Sequence, residues 1–258
     1  MTLENKIIVV TGAGRGMGRG IAEACASAGA AVVVGDVNFE SVQETAQIIS
    51  QNGRHACAVA LDVTQRESIE KAIARAVENF GCVDGWVNNA GVVKMDAALD
   101  ASLRDWDWQF QVNVSGLFLC CQLAAKQMIV SNSGGSIVNI ASNAGKVGYN
   151  NMAAYNASKA AVINLTRALA AEWAPYNINV NAVCPGGVNT PMLLSVAEFY
   201  AARSGGDPHE MVKDMKPKQM GRHIEPIEVG RVVAFLLSED ARIIRGQAIN
   251  VDGGDTPY

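Results

Sequence analysis

The sequence predicts an α/β chain folded as one doubly wound domain, on three observations. Short apolar, β-branched runs alternate with longer segments of helical period, the first run leads into a glycine-rich turn, and the second ends in a carboxylate. Strand–helix–strand repetition with right-handed crossovers builds a parallel sheet covered by helices on both faces. Strands covered from both sides read as continuous apolar runs rather than alternating ones, and these do.

The runs fall at 6–12, 30–36, 55–63, 83–89, 135–142, 178–186 and 246–254, which predicts a seven-stranded, mostly parallel sheet. Helical patterns occupy 17–29, 39–52, 66–80, 103–131, 152–174 and 226–238. Gly29 ends the first helix, Asn52-Gly53 follows the second, Gly81 the third and Pro175 the fifth, all ordinary stop signals. Nothing resembles a linker, a repeat or a low-complexity tract, so 1–258 reads as a single domain. One segment breaks the rhythm. Residues 187–226 insert about 40 residues before the last helix, long enough to be functional. Its amphipathic pieces "MLLSVAEFYAAR" and "HEMVKDM", split by "SGGDP", suggest a mobile helical lid at about 190–222.

Hydrophobic residues make up 49% of the chain, near the globular norm, and charged residues only 18%. That low charge hints at surface buried between subunits. A net charge of −4 and a pI near 5.4 argue against nucleic-acid binding, which needs a basic patch. The start "MTLENKIIVVTG" lacks a signal-peptide pattern, and the sequence offers no uninterrupted apolar run of membrane-spanning length. A cytoplasmic location without membrane attachment is the expectation. The cysteines at 25, 57, 82, 120, 121 and 184 contain no CxxC pair and read as reduced core thiols. His55, His209 and His223 lie far apart, so no metal is expected.

The first turn, "TGAGRGMGRG" at 11–20, is not a strict GxGxxG but a TGxxxGxG, carried by Gly12, Gly16 and Gly18 with Arg15 and Met17 between them. Glycines let backbone turn sharply and approach a pyrophosphate, whose charge meets free amides at a helix start. Asp36 ends the second strand, where a carboxylate binds adenosine-ribose hydroxyls and repels a 2′-phosphate. That favours NAD over NADP, with Arg15 as the opposing sign.

With these features in place the chain resembles the short-chain dehydrogenase/reductase family, essentially end to end. The resemblance rests on "TGAGRGMG" (11–18), "LDV" (61–63), "NNAG" (88–91), "QVNVSG" (111–116), "IVNIAS" (137–142), "YNASK" (155–159), "NAVCPGGVNTPM" (181–192) and "NVDGG" (250–254). It implies a Rossmann-type, cytoplasmic, single-domain oxidoreductase that binds NAD. It implies that Asp62 and Val63 hold the adenine, that Asn89, Ala90 and Gly91 line the cofactor cleft, and that Pro185, Gly186, Val188 and Thr190 wrap the nicotinamide carboxamide. Asn113, Ser142, Tyr155 and Lys159 would form the catalytic tetrad, Asn113 bending its helix and holding water that links Lys159 to solvent.

Tyr155 and Lys159 stand four apart, on one face of a helix. A nearby ammonium favours the phenolate and lowers a tyrosine's pKa, as would the positive ring of NAD⁺. Tyr155 is then the proton relay for hydride transfer between a secondary alcohol and a ketone, with Ser142 bonding the reacting oxygen and Lys159 also bonding the nicotinamide ribose.

The substrate is less legible. By resemblance its contacts come from Val93 and Lys94, from Ser142, Asn143, Tyr149, Asn150, Asn151, Met152 and Tyr155, and from Gly187, Met192 and the lid. Amides there suit a polyol, sugar or hydroxy acid, and Lys94 or Arg203 can meet an anionic group, although asparagines are equally common in turns. A 3-oxoacyl thioester reductase is the alternative and a non-catalytic nucleotide-binding scaffold the remote one. Trp106 and Trp108 read as core and interface aromatics. The family's assembly through long helices implies a homotetramer through 103–131 and 152–174, with Leu117, Cys121, Ala161 and Leu165 among their apolar positions.

Overall fold

A computed structural model describes residues 2–256 and 258. Strands β1 (Ile7–Thr11), β2 (Ala31–Asp36), β3 (Ala56–Ala60), β4 (Gly85–Asn88), β5 (Gly135–Ile140), β6 (Ile178–Pro185) and β7 (Ala248–Val251) form one seven-stranded sheet in the order β3-β2-β1-β4-β5-β6-β7. Every pairing is parallel. The predicted α/β architecture is therefore the observed one.

Alternate residues of each strand serve opposite cores. Val9, Val33, Trp86, Ile137 and Val180 pack under α3 (Arg66–Phe80), α5 (Leu117–Val130) and α6 (Ala153–Glu172). Ile8, Val10, Val34, Val87 and Val138 pack under α1 (Gly16–Ser27), α2 (Phe39–Gln51) and α9 (Pro226–Leu237). The edges differ from expectation. β3 and β7 are shorter than the predicted 55–63 and 246–254 and only half-buried, because an edge strand has a neighbour on one side alone.

The predicted helix 103–131 also differs. It comprises α4 (Leu103–Phe110), a π-helical turn (Gln111–Gly116) and α5, run end to end. Such wide turns are rare and gather at functional sites. By length and composition Leu103–Val130 reaches the span of a bilayer, which the sequence reading did not register. Half of that window is buried, and α5 packs on β4 and β5, as a core helix does.

The 187–226 excursion forms α7 (Pro191–Ser204) and α8 (Pro208–Asp214), capped by Thr190 and Asp207 and separated at Gly205, whose φ is +74°. A single β-bridge between Val188 and Ile224 closes its base.

Candidate active site

The chain runs outward from β1 through β2 to β3 and then crosses over the sheet to β4, on the other side of β1, so the crevice of this sheet opens above the ends of β1 and β4. The β1–α1 turn fills its floor. Gly12 (φ +63°) and Gly16 (φ +54°) take conformations that side chains avoid, and a Cβ on Gly18 would come 2.0 Å from the Gly12 oxygen. No side chain caps the start of α1, so its first amides are available to an anion. Arg15 is exposed at that N-cap, and the Met17 side chain packs against the core.

At the end of β2 the Asp36 carboxylate accepts from the amides of Gly14 (3.2 Å) and Asn38 (3.0 Å). Asp62 is turned onto Thr64, accepting from its amide and hydroxyl. Val63 departs from the expected role in one respect: its side chain lies in the core, leaving only its backbone to meet an adenine. Thr11 Oγ1 accepts from the amides of Asn89 and Ala90, and Asn89 Nδ2 donates to the carbonyls of Thr11 and Gly12. Asn89 Oδ1 is buried without a hydrogen-bond partner among the described residues. Donor-rich glycine backbone, a carboxylate at β2 and this orphan acceptor fit a dinucleotide.

Asn113 and Lys159 of the expected tetrad meet behind Gly91, where a Cβ would lie 3.4 Å from Asn113 Oδ1 and 3.5 Å from Lys159 Nζ, and Lys159 and Ser142 in turn flank Tyr155. Asn113, in the π-turn and fully buried, accepts from the Val92 amide and donates to the Val92 carbonyl and Ser158 Oγ. Its side chain is thus committed to holding the 91–92 backbone. Ser142, just beyond β5, accepts from the Ala144 amide, donates to Asn143 Oδ1 at 3.4 Å and lies close enough to the Tyr155 hydroxyl to oppose the rise of its pKa. Lys159 Nζ donates to the Ile140 carbonyl at 2.9 Å and lies 5.6 Å from the centre of the Tyr155 ring.

The electrostatics overturn one expectation. Burial pushes the Tyr155 phenol upward, opposed by the Ser142 side chain beside it, and pushes Lys159 down to about 8. In an enclosed site, loss of water disfavours both charged forms and outweighs the attraction expected between them. The ammonium alone does not make the phenol acidic.

Beyond β6, Pro185, Gly186 and Val188 lead to Thr190, whose hydroxyl accepts from the Leu193 amide to start α7. Val188 is buried, so backbone is what it presents. On the substrate side, Asn143 donates to the Tyr149 hydroxyl, Met152 is buried at the start of α6, and the Asn150 carbonyl accepts from Tyr200 of α7. Asn151 has a φ of +60° and accepts from the Asp96 amide, so turn geometry accounts for it. Met192 is exposed. Arg203 is not a free cation: it pairs with Asp96 at 3.5 Å and stacks on Phe199. Lys94 lines a cavity of about 190 Å³ with Asp96, Asp105, Trp106 and Gln109, reaching the start of α6 rather than the glycine turn.

Sequence reading missed Arg19, Glu44 and Thr45, which grip the back of the glycine turn, and Tyr258, whose hydroxyl reaches the Lys146 carbonyl. Arg19 directly follows the TGxxxGxG pattern, and Thr45 is a buried polar residue on the apolar stripe of α2. Those were the available signals.

A family model described as enoyl-(acyl carrier protein) reductase matches residues 12–256. The chain is 38% identical to a short-chain dehydrogenase/reductase of Armillaria gallica, over 97% of this chain and 96% of that protein. It is 36% identical to an NAD-dependent glycerol dehydrogenase of Listeria innocua, over 98% and 95%. The solved structure of an actinorhodin polyketide ketoreductase variant with NADPH matches with a TM-score of 0.93 at 35% identity, over 98% of each chain.

Proposed function

The chain belongs to the short-chain dehydrogenase/reductase family, and from that premise we propose that it interconverts a secondary alcohol and a ketone by hydride transfer, using NAD(H), on a polyol, sugar or hydroxy acid. The observation that carries this reading is the convergence of Ser142 and Lys159 on Tyr155, with Lys159 Nζ beside Gly91 and next to a glycine turn backed by Asn89. A nicotinamide dinucleotide, when bound, supplies the hydride acceptor or donor and, oxidised, a positive charge.

This chain's residues then do the following. In oxidation the Tyr155 phenol first gives its proton to solvent, favoured by the positive charge of the oxidised cofactor, and its oxygen then takes the alcohol proton; in reduction the phenol gives its proton to the carbonyl oxygen and is reprotonated from solvent. Ser142, beside the Tyr155 hydroxyl, holds the reacting oxygen in line. Lys159, tied to the Ile140 carbonyl, fixes the floor of the site and adds a cation whenever it is protonated. Asn113 holds the Val92 peptide and, through Gly91, the wall behind Lys159. The glycine turn, Asp36, Asp62, the Val63 backbone, Asn89 to Gly91 and the Pro185–Thr190 backbone would bind the cofactor.

NAD is supported by the Asp36 carboxylate, and by the glycerol dehydrogenase among the relatives. A polyol is supported by that same relative and by neutralisation of Arg203, which leaves few cations for an acid. A 3-oxoacyl thioester reductase is the second reading, favoured by the family model's description and by the likeness to the NADPH-bound ketoreductase. The test is a screen of polyols, sugars, hydroxy acids and 3-hydroxyacyl thioesters with NAD⁺ and NADP⁺, following absorbance of the reduced cofactor. Turnover of a polyol with NAD⁺ is the expected result; turnover confined to thioesters with NADP⁺ overturns it. The same reading places the protein in the cytoplasm as a homotetramer.

A further inference from the structure

We propose that Arg19, Glu44 and Thr45 form a clamp that positions the glycine turn for the cofactor's pyrophosphate, a role carried from outside the binding cleft by Glu44 and Thr45 of α2 through Arg19 of α1. The inference rests on the dinucleotide reading above and adds to it the residues that aim the backbone.

A peptide that offers its N–H to an anion must direct its C=O elsewhere and have that oxygen satisfied. The Ala13 and Gly14 carbonyls face α2, while that of Gly12 accepts from Asn89 Nδ2. Thr45, fully buried, has its Oγ1 3.0 Å from the Ala13 carbonyl and 3.4 Å from that of Gly14. Arg19 donates to the Gly14 carbonyl at 2.8 Å and, through Nε, to Thr45 Oγ1 at 3.1 Å. Glu44 holds the same guanidinium with both oxygens, at 3.2 and 2.8 Å. A bidentate arginine–carboxylate pair fixes direction as well as distance. On its other side the Gly14 amide is bonded to Asp36. Gly14 is therefore held through its amide by Asp36 and through its carbonyl by Arg19, and the amides that follow it, at the start of α1, are left facing the cleft.

The test uses the full-length protein with Thr45→Val, which keeps the shape of the side chain and removes the hydroxyl, and Glu44→Gln, on the surface, as a second variant that keeps the fold. Dissociation constants are measured for NADH by fluorescence and for ADP-ribose and adenosine by calorimetry. One lost hydrogen bond corresponds to about tenfold. NADH and ADP-ribose are expected to weaken about tenfold in Thr45→Val and a few-fold in Glu44→Gln. Adenosine, which has no phosphate, keeps its affinity, and Thr45→Ser recovers the wild-type values. A merely structural role would weaken all three ligands alike. Wild-type NADH and ADP-ribose affinity in both variants overturns the clamp and leaves the dinucleotide reading standing. Failure of the wild-type protein to bind NADH or NADPH overturns both.

Discussion

The Lys159 ammonium nitrogen lies 5.6 Å from the centre of the Tyr155 ring, yet its hydrogen bond goes to the Ile140 carbonyl at the end of β5. A lysine this enclosed, at 4% exposure, sits against backbone oxygen and a half-buried aromatic face, with no carboxylate bonded to it. Burial therefore governs its proton, and the charge expected to activate the phenol is itself disfavoured.

Lys159 should make stability rise with pH over a defined window. Its pKa is about 8 in the fold against 10.5 for the free group, so between these values the unfolded chain binds more protons. Stability then increases with pH there, and the penalty is full below pH 8. Replacing Lys159 with Met removes the titration. The stability of wild type relative to Lys159→Met should improve by about 2 kcal/mol from pH 7 to 9.5. Urea denaturation of both proteins across that range checks it; parallel curves refute it. The raised groups that do not feel Lys159 are common to both proteins and cancel; Cys184, whose thiol the Lys159 charge pulls down, is replaced by Ala in both.

Tyr155→Phe should cut turnover by about 10² to 10⁴, the usual worth of a positioned proton relay. The ring stays and only the hydroxyl beside Ser142 goes, so NADH affinity should hold within about twofold and stability within about 1 kcal/mol. Stopped-flow turnover beside NADH titration reads both. A variant as fast as wild type would remove Tyr155 from the reaction.

Asn113→Ala should be costly to the fold itself. The substitution leaves the Val92 amide and carbonyl without their partner in a buried corner, and Ser158 without its donor. At about 1–3 kcal/mol for each stranded group, a loss of about 3 kcal/mol is expected by denaturant titration. A loss under about 1 kcal/mol would mean the π-turn is held by other contacts.

The strands of the parallel sheet were readable because covered strands announce themselves as apolar runs, and β1, β2, β5 and β6 lie close to their expected positions. Edges and wide turns were not. β3 and β7 carry the same apolar runs as inner strands, and nothing in "QVNVSG" marks a π-turn by periodicity. The tetrad's residues could be named from their motifs, yet the direction of the Tyr155 shift could not. Burial is a property of everything packed around a group, while spacing reports only its neighbours on one helix. Arg203 failed as a free cation for the same reason, since Asp96 lies far from it in sequence.

Asp36 should be the cofactor discriminator. Its carboxylate is fixed by two backbone amides at the end of β2, and a charge held there repels a second phosphate. Asp36→Ala should raise kcat/KM for NADPH relative to NADH by about tenfold or more, equivalent to about 1.4 kcal/mol. An unchanged ratio would move discrimination elsewhere, with Arg15 the first residue to examine.

Assembly can be tested on the α4–α5 surface. Phe118 and Ile129 are 40% and 38% exposed, stand eleven residues apart and so share a face, and Trp108 at 41% precedes them across the π-turn. Large apolar side chains gathered on a helix are what a partner helix covers. A homotetramer should elute from a sizing column coupled to light scattering, and Phe118→Glu should shift it to smaller species, because a carboxylate in a covered apolar face has no partner there. A wild-type monomer would overturn the assembly, and a tetramer that tolerates Phe118→Glu would place its contacts on another face.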